Sequence, residues 1–327
     1  MLKLILLLLT LLDYQTAYQQ IKKSDGWVRI TKGEPIIACF SICKSGNNLI
    51  IGGVSREMSS IFYTDEKEIE WKTSGYIGDY ATSFLSHKGF LLAGTKSKGI
   101  LKSTNDGKTW FATNGLTPNG VISLIEHNNI IVAGTTSGLI YISSNDGIDW
   151  ELRKELNRTI NCIVSSFTYL FVATCDIGII YSSDNGYTFD YLIKGQESPR
   201  GDFHSLIIYN RKIYTGSHSD GVHIFNLSDF SSDGWYYDFI GINNSPCLNS
   251  LLKIEKYLIG GTEGCGIFIL PDDKTEWIDF RQGIENQNVK CLLKGKEYIY
   301  AGVIQYDRNN QSYGIYRRKI NELFEMN

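Results

Sequence analysis

The 327-residue sequence has no surplus of charge of either sign, with a net charge of −3 and a pI near 6.0. That argues against a binder of nucleic-acid backbones and against a polybasic membrane-surface protein. Methionine is scarce, at three residues, while glycine reaches 32 and tyrosine 20, a balance that favours strands and tight turns over long helices. There is no CxxC pair and no His/Cys cluster at zinc spacing, so neither metal nor cofactor is expected. His204, His218 and His223 lie near Asp202 and Asp220 in sequence, but at no metal-ligand spacing. Sustained helical periodicity is missing throughout. What the chain has is apolar matter for a core, 43% hydrophobic and 13% aromatic, which excludes a disordered or fibrous chain.

The run Leu4–Leu12 is apolar except for Thr10 and follows Lys3. As a helix it would rise about 14 Å, short of a bilayer core of roughly 30 Å. A charged start, a short apolar stretch and a polar exit are signal-peptide anatomy, read here as residues 1–17. Export to an extracellular or periplasmic space is the expectation, without stable membrane insertion. Seven cysteines sit mostly inside apolar strand-like runs, where a thiol behaves as a small hydrophobe. Cys39 and Cys43 would be about 13 Å apart in one strand, beyond disulfide reach. Hairpin spacing makes Cys247 with Cys265 the best pairing; mostly buried thiols are favoured over it.

An apolar phrase ending in a small-Gly-Thr-like step recurs at Gly53, Gly94, Gly134, Thr174, Gly216, Gly261 and Gly302, at spacings of 41, 40, 40, 42, 45 and 41. Repeats of about forty residues, each with alternation for four short strands, are the mark of a β-propeller. One unit reads as strand Val121–Glu126, turn His127-Asn128, and strands 129–135, 139–143 and 150–153. The expectation is an all-β, seven-bladed propeller filling residues 18–327 as a single domain. Its repeats fall near 33–74, 75–116, 117–156, 157–196, 197–241, 242–284 and 285–320. The last repeat stops short before a polar tail. Residues 25–31 carry Trp27 in series with Trp71, Trp110, Trp150, Phe189, Trp235 and Trp277, so they are expected to supply the closing strand.

Between the third and fourth strands stand Ser103-Thr104-Asn105-Asp106-Gly107-Lys108-Thr109-Trp110, Ser143-Ser144-Asn145-Asp146-Gly147-Ile148-Asp149-Trp150 and Ser182-Ser183-Asp184-Asn185-Gly186-Tyr187-Thr188-Phe189. The third fits S-x-D-x-G-x-T-[WF] at every position; the first two put Asn at the Asp position. With these turns the chain resembles the Asp-box (BNR-repeat) β-propellers. They include sialidases, xyloglucan-cleaving hydrolases, sortilin-like receptors and photosystem II assembly factors, and the phrases look closest to generic bacterial-type members. The turn chemistry itself is structural: a short acceptor side chain takes backbone N–H groups and glycine takes the positive-φ position. Ser103, Asn105, Gly107, Trp110, Ser143, Asn145, Gly147, Trp150, Ser182, Asp184, Gly186 and Phe189 are therefore assigned to structure.

The resemblance places any ligand site on the opposite face, in the loops entering each innermost strand and those between second and third strands. Candidates there are Arg56, Asp79, Arg158, Arg200, Asp202, His218, Asp220, Glu263, Tyr306 and Arg308, with Lys96 and Lys98 nearby. The loops 195–203 and 303–313 are longer than their counterparts. A sialidase would need an arginine triad and an aromatic-Arg-Ile-Pro signature; Val28-Arg29-Ile30-Thr31 lacks its flanks. A xyloglucan-type hydrolase would need two facing carboxylates, for which Asp79 and Asp202 are the nearest pair. An assembly factor would carry a contiguous arginine patch, drawn from Arg153, Arg158, Arg200 and Arg211. The favoured reading is an exported, monomeric, non-catalytic module that binds a protein or a glycan, not nucleic acid.

Overall fold

The computed structural model describes residues 26–31, 36–116, 119–166, 168–194, 203–217, 222–227, 235–238, 247–272, 274, 276–284, 287–304 and 313–326. The leader 1–17 lies outside them. Every described strand pairing is antiparallel. Five four-stranded sheets follow one another along the chain, within 81–112 (sheet A), 121–155 (B), 160–194 (C), 203–238 (D) and 248–279 (E). The remaining strands form one eight-stranded sheet. It joins Ile36–Ser45, Asn48–Ser55, Ser59–Asp65 and Lys72–Ile77 to Asn288–Lys294, Tyr298–Ile304, Gly314–Lys319 and Val28–Arg29.

This corrects the expected seven-bladed count. Five blades stand as separate four-stranded sheets, not seven, because Ala38 pairs with Ile304 and fuses the strands from the two ends of the chain. The chain is nonetheless all-β and propeller-like. The innermost strands Ile36–Ser45, Ala81–His87, Val121–His127, Ile160–Ser166, Phe203–Tyr209, Leu248–Ile254 and Asn288–Lys294 pack each on the next, and the last packs on the first. Val28–Arg29 pairs with Gly314–Lys319, and Trp27 Nε1 donates to the Phe280 carbonyl at 2.8 Å.

The apolar alternation places the core between sheets. Val132, Ile140 and Ile142 of sheet B pack with Ile160, Ile163 and Leu170 of sheet C. Phe171 and Ala173 of C pack with Phe203 and Ile213 of D. The glycine of the recurring phrase is what lets the sheets approach. In the first copy the register gives this place to Gly52, one residue before the expected anchor Gly53: a Cβ on Gly52 would lie 1.8 Å from the Ala81 carbonyl oxygen, and one on Gly94 would lie 2.6 Å from that of Val121. Opposite these glycines each innermost strand carries a bulge, for example between Ala81 and Ser83 and between Val121 and Ser123.

The threonine of the phrase has its own task. Thr95, Thr135, Thr174 and Thr262 each donate Oγ1 to a carbonyl four residues on, at 2.7–3.1 Å, and so hold the turn into the third strand. The first hairpin of sheet B turns at Asn128-Asn129, with φ of 44° and 64°, one residue later than the sequence reading. Two consecutive left-handed residues suit the right-handed twist of the flanking strands, and Asn tolerates that conformation. The polar tail is also corrected: Ile320–Met326 forms a 3-10 helix that buries Leu323, and Arg318 Nε donates to Glu322 at 2.8 Å.

Candidate functional site

The strand order puts the loops between second and third strands on the same face as those entering the innermost strands. Backbone bonds tie the two sets together in sheet after sheet. Lys96 N donates to Tyr80 O, Thr136 N to Gly120 O, Cys175 N to Thr159 O and Glu263 N to Cys247 O, at 2.8–3.1 Å. The loop face is thus clamped by its own main chain.

Among the described residues, Asp79 is the buried acid of this face, 3% exposed. Its Oδ2 accepts Ser97 N and Ser97 Oγ at 3.0 Å and Lys98 N at 3.1 Å, while Oδ1 accepts Tyr80 N at 2.8 Å. Four donors occupy the carboxylate, which caps the 96–98 loop. Asn119 holds the matching place in sheet B: its Oδ1 accepts Gly120 N at 2.8 Å, and its amide reaches Ser137 Oγ.

Around Asp79 stands a set of rings and ammonium groups that the sequence reading named only in part. Phe40 stacks on Tyr80, with centroids 4.2 Å apart and planes at 17°. Lys96 Nζ lies 5.5 Å from the Tyr80 ring and Lys98 Nζ 5.4 Å from that of Tyr76. Both lysines are exposed. Burial pushes the Tyr76 hydroxyl up to about 12, with the Asp79 charge adding to the shift, so it stays protonated at neutral pH. Aligning the repeats on their innermost strands is the signal that finds Phe40. It occupies the bulge position held elsewhere by Thr82, Ile122 and Asn161.

The other candidates are distributed among separate loops. Arg56 is exposed in a turn where Ser55 Oγ accepts Glu57 N and Met58 N. Arg158 is exposed before sheet C, bonded to the Asn157 carbonyl, and Glu263 is half-buried in sheet E. Arg200, Asp202, His218, Asp220, Tyr306 and Arg308 lie outside the described residues. Arg211 sits in a turn between first and second strands, on the face opposite Arg158, and the Arg153 guanidinium lies 3.7 Å from the Tyr187 ring centroid. Arg29 lies in the edge strand, over the Tyr313 ring. Among the described residues no group of three or more His, Cys, Asp or Glu is placed to hold a metal ion. Among them, too, no helix is long and apolar enough to cross a membrane.

On the opposite face the three Ser-x-Asn/Asp turns are closed from within. Ser103 Oγ, Ser143 Oγ and Ser182 Oγ accept Gly107 N, Gly147 N and Gly186 N at 2.8–3.1 Å. Asn105, Asn145 and Asp184 accept the N–H four residues on at 2.9–3.0 Å. The sequence reading missed the residue that follows. Asp106, Asp146 and Asn185, with φ of 55°, 58° and 59°, reach back to the preceding sheet. Asp106 Oδ1 accepts Ser45 Oγ at 2.6 Å, and Asn185 Oδ1 accepts Asn128 Nδ2 at 3.1 Å. Asp146 Oδ1 meets Lys88 Nζ at 2.9 Å and His87 Nε2 at 3.1 Å, and those two partners hold its carboxyl below the usual range.

No family model matches the chain. No curated protein matches it either. Solved structures do. YCF48 from Cyanidioschyzon merolae superposes with a TM-score of 0.68 at 13% identity, covering 91% of this chain and 99% of that one. The fold is that of a β-propeller. YCF48 bound to D1 peptide gives a TM-score of 0.68 at 11% identity, covering 90% and 94%. The extracellular domain of a hybrid two-component system from B. thetaiotaomicron gives 0.70 at 16%, covering 90% of this chain and 39% of that one. At these identities the likeness concerns the fold.

Proposed function

We propose that the protein is an exported propeller of the Asp-box type. In this reading it is a non-catalytic module that captures a segment of another protein on its loop face. The observation that carries this is the patch of Phe40, Tyr80, Tyr76, Lys96 and Lys98 around a fully bonded Asp79. Stacked rings offer flat apolar area at low entropic cost, and the exposed ammonium groups beside them suit carboxylates. The ligand class is therefore an extended peptide with acidic residues. Two of the propellers similar in fold support the reading: one is a YCF48 bound to D1 peptide, the other an extracellular domain.

The bonds on Asp79 favour a structural role over that of a hydrolytic acid, since a general acid must be free to exchange its proton with substrate. Arg158 and Arg211 on opposite faces weaken the case for the contiguous arginine patch of a membrane-complex assembly factor. The test is fluorescence-polarisation binding against a peptide library graded in acidic content, with a glycan array and fluorogenic glycosides alongside. Lys96→Ala with Lys98→Ala should weaken peptide binding about tenfold and flatten its salt dependence. Glycoside turnover lost on Asp202→Asn, or binding indifferent to both lysines, overturns the proposal.

A further inference from the structure

We propose that Cys39 and Cys291 form an oxidisable pair whose disulfide covalently closes the ring at the seam of the eight-stranded sheet. The two residues are 252 apart in sequence and stand on the innermost strands contributed by the two ends of the chain. Their sulfurs are 3.8 Å apart, in van der Waals contact. A disulfide needs about 2.05 Å, which two neighbouring thiols reach by small χ1 changes.

The repeat shows what these thiols replace. At the position equivalent to Cys291 the other innermost strands carry serine, except for Cys162, and three of these hydroxyls, those of Ser41, Ser83 and Ser205, donate to a carbonyl of the next innermost strand. Ser41 Oγ donates to Ala81 O at 2.7 Å and Ser205 Oγ to Leu248 O at 2.9 Å. At the seam the corresponding partner is Cys39, whose carbonyl lies 3.9 Å from the Cys291 sulfur. The hydroxyl link is thus missing at the seam, and a thiol pair stands in its place. Gly302 makes the room: a Cβ there would lie 2.4 Å from the Cys291 sulfur and 2.6 Å from that of Cys39. Cys162 occupies the same register in sheet C, where the residue in the place of Cys39 is Phe203. It is a built-in control.

The reaction balances with a low-molecular-weight disulfide, such as oxidised glutathione, as oxidant. The half-buried Cys291 thiolate attacks one sulfur of that disulfide, forming a mixed disulfide and expelling one thiolate. The Cys39 thiolate then attacks the Cys291 sulfur and expels the second. Two thiols lose their protons, two electrons pass to the oxidant, and two glutathione thiols result. Burial pushes the Cys39 thiol well above its usual range, so the second step is the slow one and quickens with transient opening of the seam.

The experiment treats the full chain with oxidised glutathione, in buffer and in denaturant below the unfolding midpoint, followed by non-reducing peptide mass spectrometry and thermal melting. The expected result is a Cys39–Cys291 cross-link with loss of two thiols, and a Tm raised by about 4–9 °C that dithiothreitol reverses. Cys162→Ser should keep that rise and Cys291→Ser should lose it. Glutathione retained as a mixed adduct on Cys291, a cross-link to another cysteine, or a cross-link with no change in Tm overturns the proposal.

Discussion

Replacing Asp79 separates a loop cap from a catalytic acid. Asp79→Ala strands the backbone N–H groups of Tyr80 and Ser97 and the Ser97 hydroxyl, and leaves the Lys98 N–H only its second acceptor, Thr95 Oγ1. A buried donor left without a partner costs about 1–3 kcal/mol, but Ser97 and Lys98 are exposed enough for water to replace part of what is lost. The net cost is about 2–3 kcal/mol, which in a chain of this size lowers Tm by roughly 3–5 °C. Asp79→Asn keeps one acceptor oxygen and the geometry that Asn119 already uses in sheet B. It should cost about 1 kcal/mol, from one or two bonds lost to the amide's donor face. Urea denaturation measures both, with the m-value confirming that the transition stays cooperative. The Ala variant should also weaken peptide binding, because the 96–98 loop carries both lysines of the patch. Equal destabilisation by Asn and Ala would refute the capping argument, and so would an Ala variant as stable as the parent.

The close approach of the sheets predicts that Gly94→Val is among the most damaging single changes. The side chain would drive against the Val121 carbonyl and side chain, with an expected loss of about 3 kcal/mol or more and poor soluble yield, read by circular dichroism melts. Asp184 predicts a pH effect of definite sign. Hydrogen bonds from the Thr188 hydroxyl and N–H, then from Ser182 and Tyr187, lower its carboxyl to about 2. A depressed folded-state value means the stabilisation is complete above about 4, the unfolded value, and is lost as pH falls from there to about 2. Asp184→Asn should therefore flatten the acid limb of the Tm–pH curve and lower Tm somewhat at pH 7, where the parent's charged carboxylate is fully effective.

Much of the architecture could be read from the chain because its repeat has physical causes at every position. The Gly of the phrase is set by inter-sheet approach, and the Thr after it by a turn carbonyl four residues on. The alternation is set by cores lying between sheets. The count of separate blades was not legible. It depends on one backbone pair, Ala38 with Ile304, and no side-chain pattern encodes a single bridge between strands more than 250 residues apart. The inter-sheet reach of Asp106 and Asp146 was hidden too, because the turn motif explains its own residues so fully that a second partner leaves no trace in spacing. The loop face was the least legible. Its candidates were chosen for charge, yet the most buried of those described, Asp79, is committed to capping a loop. The groups left accessible there are half-buried rings and exposed ammonium ions that the strand register, not their sequence context, brings together. The repeated scaffold is specified by backbone needs that every unit shares. Binding character resides where one unit departs from the rest, as Phe40 does where its counterparts are Thr82, Ile122 and Asn161.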